Sequence, residues 1–514
     1  MDSTSNSHRQ VGASSTTSSR PSAFVPMAIW GAAIALGMLL ALTPLDRLAL
    51  IAGAALALVL ALAHPVLAVG MAVLSVPVQE LVVLPGGLSV TQAAVLVTLG
   101  SWIFHTLARA EQRPLPADLS LLWGGLLFAL LLSASVTPYS RTEALRETLR
   151  WTVAAVVWMA AASAITRRWH IIYLLACLLI APAVCAGVGI AQFATGDGPP
   201  TFRIAPDLPY VRAYGTIGQP NSFAGYLNMA WPLALTLAIM ITGNAWQSDR
   251  RRRLTAIGRW VLAVILWGIA GAILAALIAS FSRGGWIGAA IGVLGIALSL
   301  GRRALPVLAG LAATGAAVAL LAAAGVLPEA LVTRLASIWR SVAWFDAATV
   351  TVTPENFAVV ERMAHLQAGW EMFRSAPLFG VGPGNYSVAY PEFAVGAWYA
   401  SRGHAHNYYL HMAAETGIIG ILAYLALIGG VIWQASRALR RTIDPVLYGT
   451  AVGGCGIIAA VAGHNLFENL HVLNFGIQLA VVWAVICAIA RHADSVQPRC
   501  AISSQAGQGS LAVT

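Results

Sequence analysis

Lysine is absent from this chain of 514 residues, and only 10% of its residues are charged. Without lysine there is no Schiff-base chemistry and no Walker-type phosphate lysine. Any clamp on an anion must therefore be built from arginine. Charge this scarce, against about 25% in ordinary globular domains, excludes a soluble protein of usual composition. Cysteine is also sparse. Cys177, Cys185, Cys455 and Cys487 lie in apolar segments and Cys500 in the C-terminal tail, so no disulfide framework is indicated. The apolar runs lack the two-residue alternation of a membrane β-barrel, which leaves only helices to satisfy the backbone in lipid. A cleavable signal is not expected, because residues 1–22 are polar and Ser/Thr-rich and the first apolar run begins only after them. No internal repeat of 20–50 residues is present.

What remains is 58% hydrophobic, with a mean hydropathy of +0.76. Runs of about 20 apolar residues, enough to cross a hydrocarbon core, recur from end to end. Fourteen such segments stand out, among them 24–42, 47–63, 146–165 and 407–435, and some are short. The expectation is an all-α polytopic membrane protein with 12–14 transmembrane helices. Its domains would be a disordered tail (1–22), an N-terminal bundle (23–325), a loop cap (326–406), C-terminal helices (407–492) and a second tail (493–514). The net charge of +10 is carried by arginine. Arg109 and Arg113, Arg167 and Arg168, Arg250 to Arg253 with Arg259, Arg302 and Arg303, and Arg437, Arg440 and Arg441 fall in alternate short loops. That is the positive-inside pattern and not a nucleic-acid surface. It puts both termini in the cytoplasm and the long polar loop 326–406 outside. The loop carries Trp339, Trp344, Trp370 and Trp398, and Val360 to Phe373 has helical spacing, so a partly helical cap is expected.

Chemistry-bearing residues gather at that boundary. His404, His406 and Asn407 stand in HAHN, followed by Glu415. A neutral imidazole near pH 7 can take a proton from a hydroxyl, the task of a general base. The plainer alternative makes Asn407 a helix cap and leaves the histidines against solvent. Zinc fits less well, since two histidines without a clear third ligand make a poor site. Arg212 and Arg283 fall outside by the same topology, against the arginine preference for inside. Guanidinium forks bind phosphate oxygens in pairs, whereas the plain reading has them snorkelling to headgroups or paired with Glu361 or Glu415. Gly215 to Asn221 (GTIGQPN) breaks a helix at membrane depth, which is tolerated where the backbone lines a cavity and is otherwise a kink. GVGPGNY is not a dinucleotide fingerprint, because no strand–turn–helix unit surrounds it. A tight turn presenting Asn385 and Tyr386 is expected instead.

Together RAYGTIGQPNSFAGYL, SFSRGGWIG, the segment from Arg362 to APLFGVGPGNY, and HAHNYYLHMAAETGIIG resemble the O-antigen ligase and O-antigen polymerase superfamily. The resemblance implies a GT-C-like bacterial inner-membrane glycosyltransferase with a large periplasmic loop and an active site on the periplasmic face. The implied donor is a glycan on undecaprenyl pyrophosphate, used without nucleotide sugar, metal or other cofactor. Arg212 and Arg283 match the arginines that hold the donor pyrophosphate. His406, with His404 as the alternative, matches the base that activates the acceptor hydroxyl. Asn221, Arg362, Tyr386, Asn407 and Glu415 match supporting positions. The implied acceptor is lipid A core, with a growing glycan (polymerase) or a protein hydroxyl (protein ligase) as alternatives. From another class, a lipid-linked sugar transporter also suits this many helices, although transporters usually show duplicated halves.

Overall fold

The structure, a computed structural model, describes residues 45–84, 86–108, 118–205, 208–246, 253–337, 344–353 and 356–506. The expected tail 1–22, the apolar run 24–42, Trp339, residues 507–514 and the arginines Arg109, Arg113 and Arg250 to Arg252 lie outside these. The chain divides into two units, Met1–Val59 and Leu60–Thr514. Of the first, only the start of the Leu45–Ala63 helix is described. The second holds everything below.

Among the described residues the protein is all-α, with two isolated bridges, Val83 to Ser89 and Arg203 to Val211, as its only β pairing. Seven helices are long and apolar enough to cross a membrane: Val90–Ala108, Arg168–Thr195, Pro220–Trp246, Ala256–Ala279, Gly301–Ala323, Tyr408–Arg441 and Pro445–His464. Pro65–Val78, Ser120–Val136, Arg283–Ser299 and Phe475–Arg491 are shorter apolar helices. The run expected at 146–165 forms the helix Arg141–Ala164. Leu107, Leu121, Leu298 and Leu305 are exposed, a surface suited to lipid and costly in water. This is a polytopic helical membrane protein.

One helix pair sets the frame of the site. Arg283–Ser299 lies antiparallel on Pro445–His464, and its glycine face makes the close approach possible. A Cβ on Gly288 would stand 2.8 Å from the Ala460 carbonyl oxygen, and one on Gly295 would stand 2.9 Å from that of Cys455. Small residues every fourth position let membrane helices touch along their backbones, and Gly284, Gly288 and Gly292 carry that spacing in the sequence. The antiparallel contact brings the N-terminus of one helix, Arg283, beside the loop that follows the other. Gly288→Ala is expected to cost about 1–3 kcal/mol through overpacking, read as a lower unfolding midpoint in detergent. An unchanged midpoint would mean that the helices can separate freely.

The Tyr408–Arg441 helix is broken at Gly417, whose φ of 64° and ψ of −166° are open only to glycine at low cost. The break exposes backbone groups that pair with the segment from Pro377 to Gly382, at the start of the GVGPGNY turn. Val381 N donates to Ala414 O (3.0 Å), Gly382 N to Glu415 O (2.8 Å) and Ile418 N to Pro377 O (2.8 Å). Between Ala304–Ala323 and Tyr408–Arg441 the described residues form the helices Glu329–Ala336, Phe357–Ser375 and Tyr386–Phe393. The second covers the stretch whose spacing predicts a helix.

Candidate active site

The HAHN segment enters the Tyr408–Arg441 helix through Asn407. Its side chain accepts from Leu410 N (3.0 Å) and donates to Leu466 O (3.3 Å). Asn407 is thus an N-cap, the plainer of its two readings. Just before it, His406 adopts φ 54°, a left-handed conformation that is uncommon and costly outside glycine. This bend folds the two imidazoles toward each other, with ring centres 4.3 Å apart. They converge on Glu468, in the loop after the Pro445–His464 helix. His404 Nε2 lies 2.8 Å and His406 Nδ1 3.8 Å from Glu468 Oε1.

Hydrogen bonding separates the roles of the two rings. The backbone N–H of His406 donates to His404 Nδ1 (3.1 Å). An amide can only donate, so Nδ1 is a lone pair and the proton of the neutral ring sits on Nε2, facing the carboxylate. Both nitrogens of His404 are therefore engaged. Both nitrogens of His406 are buried and make no hydrogen bond. Burial holds the His406 imidazole well below the usual histidine range, with the nearby His404, Arg362 and His365 acting in the same direction and Glu468 against it. Burial alone would raise the Glu468 carboxyl, but the hydrogen bond from His404 and the charge of Arg362 hold it below the usual carboxylate range, so it is ionised.

The other oxygen of Glu468 leads to the arginines. Asn221 Nδ2 donates to Glu468 Oε2 (2.9 Å), and Arg212 Nη2 donates to Asn221 Oδ1 (2.8 Å). Arg212 Nε donates to Ser280 O (2.9 Å), beside the turn that carries Arg283. That turn is strained at Phe281, φ 49°, whose carbonyl accepts from Arg334 Nε (3.0 Å). Arg283 reaches Ser337 with Nη1 (3.3 Å to both O and Oγ), and its buried Nε has no partner. Arg334, Arg362, Arg283 and Arg212 lie close enough that their charges act on one another. Burial, then Arg362 and Arg283, lowers Arg212 to about 10. Burial, then Arg212 and Arg362, lowers Arg334 to about 10. Guanidinium stays charged at neutral pH even so. Among the described residues these four guanidinium groups gather around Glu468, while Glu361 nearby is paired with Arg402, and such an excess of clustered guanidinium attracts a multiply charged anion.

Among the expected site residues, Arg212, Arg283, Asn221, Arg362, His404 and His406 come together. Glu415 and Tyr386 stand apart from the arginines. The Glu415 carboxylate accepts from Gly384 N (2.8 Å) and Tyr386 N (2.9 Å), with His411 Nε2 at 3.6 Å. It pins the GVGPGNY turn to the broken helix. Tyr386 is buried and donates to His365 O (2.7 Å), and Asn385 ties the turn to Ser140 and Thr137. The expected turn therefore faces inward and presents neither side chain, because each has a buried partner. The expected alternative of pairing Arg212 or Arg283 with Glu361 or Glu415 does not occur either, since Glu361 holds Arg402 (2.8 Å). Gly215 to Gln219, the first part of GTIGQPN, line a cleft of about 590 Å³ with Glu80, Gln192, Tyr214 and Leu473.

Two residues escaped the sequence reading. Arg334 stands in a short amphipathic helix, and Glu468 stands in GHNLFENL, 64 residues after His404 and 62 after His406, with no motif of its own. The available signal was an acid directly after an apolar helix, in a chain with few acids. With Glu468 beside them, His404 and His406 form a group of three side chains with the spacing to admit a metal ion. The ligand atoms of His404, His406 and Glu468 all lie within 4.8 Å of one another. No curated protein matches the chain. Residues 268–425, which span Arg283, Arg334, Arg362 and both histidines, match the family model described as O-antigen ligase. Over that region the chain is similar to the O-antigen ligase family.

Proposed function

We propose that the protein transfers a glycan from a polyprenyl pyrophosphate, undecaprenyl pyrophosphate in a bacterial inner membrane, to an acceptor hydroxyl on the periplasmic side. The acceptor we favour is lipid A core. The observation that carries this reading is the hydrogen-bonded line Arg212–Asn221–Glu468–His404 ending beside the uncommitted His406. It joins an anion-attracting arginine group to a base. The arginine pattern of the loops supports the periplasmic side and cytoplasmic termini.

The chemistry balances without a nucleotide sugar. His406 accepts the hydroxyl proton as the acceptor oxygen bonds to the anomeric carbon. The bond from that carbon to the phosphate oxygen breaks, and its electron pair leaves on the pyrophosphate. Arg212 and Arg283, with Arg334 and Arg362 beside them, stabilise the growing negative charge, which is the largest electrostatic demand of the step. One base and direct displacement give inversion, and the two carboxylates of a glycosidase are not needed. Because arginines neutralise the leaving group, exhaustive chelation is expected to leave the transfer rate unchanged. Loss on chelation with recovery on adding Zn²⁺ would instead make His404, His406 and Glu468 a catalytic metal site.

The decisive test offers purified lipid-linked glycan with and without lipid A core and weighs the products by mass spectrometry. Glycan joined to core supports ligation. Longer lipid-linked chains without core refute it and establish a polymerase. Transfer to neither, with movement of the intact lipid-linked sugar between leaflets, refutes the enzyme and supports a transporter.

A further inference from the structure

The loop between the Pro445–His464 and Phe475–Ala506 helices contributes one ionised group to the site, and that group touches both halves of it. We propose that Glu468 is the positioning residue that locks the donor-side arginines and the acceptor-side base into one geometry. This rests on the transfer reaction proposed above and adds to it a residue that acts through others.

Each carboxylate oxygen has its own task. Oε2 takes the Asn221 amide hydrogen (2.9 Å), which orients that amide so that its oxygen faces Arg212 Nη2 (2.8 Å). Arg212 is thereby held with Nη1 uncommitted among the described residues. Oε1 takes the Nε2 proton of His404 (2.8 Å) and so selects the tautomer whose Nδ1 can accept from the His406 amide (3.1 Å). That bond holds the left-handed backbone at His406, φ 54°, and with it the direction of the His406 ring. Glu468 is buried, so water does not easily replace it, and an orphaned partner on either side is costly.

An isosteric change exposes the coupling. In Glu468→Gln the new NH₂ group cannot face both the Asn221 NH₂ and the His404 N–H, since all three would be donors. Either Asn221 turns and releases Arg212, or His404 changes tautomer and releases the His406 amide. The charge seen by His406 changes as well. The charged and titratable groups facing it are His404, His365, Arg362 and Glu468, of which Glu468 alone favours the protonated ring. Removing that charge makes His406 harder to protonate.

The test is steady-state transfer by the full-length protein in detergent with purified lipid-linked glycan, comparing wild type, Glu468→Gln and Glu468→Asp across pH. Expected are a kcat about 10–100-fold lower in Glu468→Gln and an acidic limb of the kcat/KM profile displaced to lower pH. Glu468→Asp should return the limb toward wild type and recover part of kcat, because charge is restored at a shorter reach. Unfolding midpoints measured on the same samples give the folded fraction. If wild type transfers glycan and Glu468→Gln shows the same kcat per folded molecule and the same acidic limb, the proposal fails while the functional reading stands. If wild type transfers nothing from the purified donor, the functional reading fails and takes the proposal with it.

Discussion

His406→Ala is expected to lower glycan transfer by about 10²–10⁴-fold, the usual worth of a general base, without unfolding the protein. The side chain is not part of any hydrogen bond that holds the fold, since both of its ring nitrogens are unpartnered. What it offers is a lone pair in a buried position beside the arginines. His404→Ala acts at one remove, by freeing the His406 amide and leaving Glu468 without its 2.8 Å partner. Its loss should be smaller and accompanied by a lower unfolding midpoint. Because alanine is also strained at φ 54°, His406→Asn is the better control. Asparagine tolerates the left-handed region but has no basic nitrogen. Both variants should be equally inactive if the chemistry matters, whereas recovery in His406→Asn would reduce the histidine to a backbone role. The pH profile adds an independent check. A base works when unprotonated, and burial holds His406 well below its ordinary range. Activity should therefore persist as pH falls through about 6.5, where an ordinary histidine titrates, and fail only at lower pH. An acidic limb at or above that value would sink the assignment of His406.

Arg212→Ala and Arg283→Ala are each expected to lower kcat/KM by about 10–100-fold, the worth of one charge-assisted hydrogen bond lost in the transition state. The double variant should lose less than the product of the two, because their charges interact and, in the proposed reaction, both face one anion. Lysine should not restore either. An ammonium lacks the planar fork that grips two phosphate oxygens, and the bonds from Arg212 Nε to Ser280 O and from Nη2 to Asn221 would be lost together. Measured with purified donor, an effect confined to folding yield and absent from kcat/KM would remove these arginines from donor binding. Transfer that depends jointly on Arg283 and His406 also separates an enzyme from a transporter, which has no such activity to lose.

Composition and spacing alone determined a good deal. A chain with no lysine, little charge and repeated apolar runs must be helical in lipid, because lipid cannot satisfy any other open backbone. The helix at Phe357–Ser375 and the Asn407 cap were legible for the same reason: they depend on neighbours three or four residues away. The arginines and HAHN could be picked out as residues ill suited to a membrane boundary, and their motifs carried the family resemblance. Partnership was not legible. Glu415 and Tyr386 look like site residues beside the histidines, yet the break at Gly417 turns them toward the GVGPGNY turn and away from the arginines. Glu468 looks like one acid in a short loop, yet the glycine contact between Arg283–Ser299 and Pro445–His464 sets it between Asn221 and His404. Hydrogen bonds between residues far apart in the chain depend on which helices touch, and that is decided by packing. Only the tertiary structure could therefore leave both His406 ring nitrogens unpartnered and set Glu468 between Asn221 and His404.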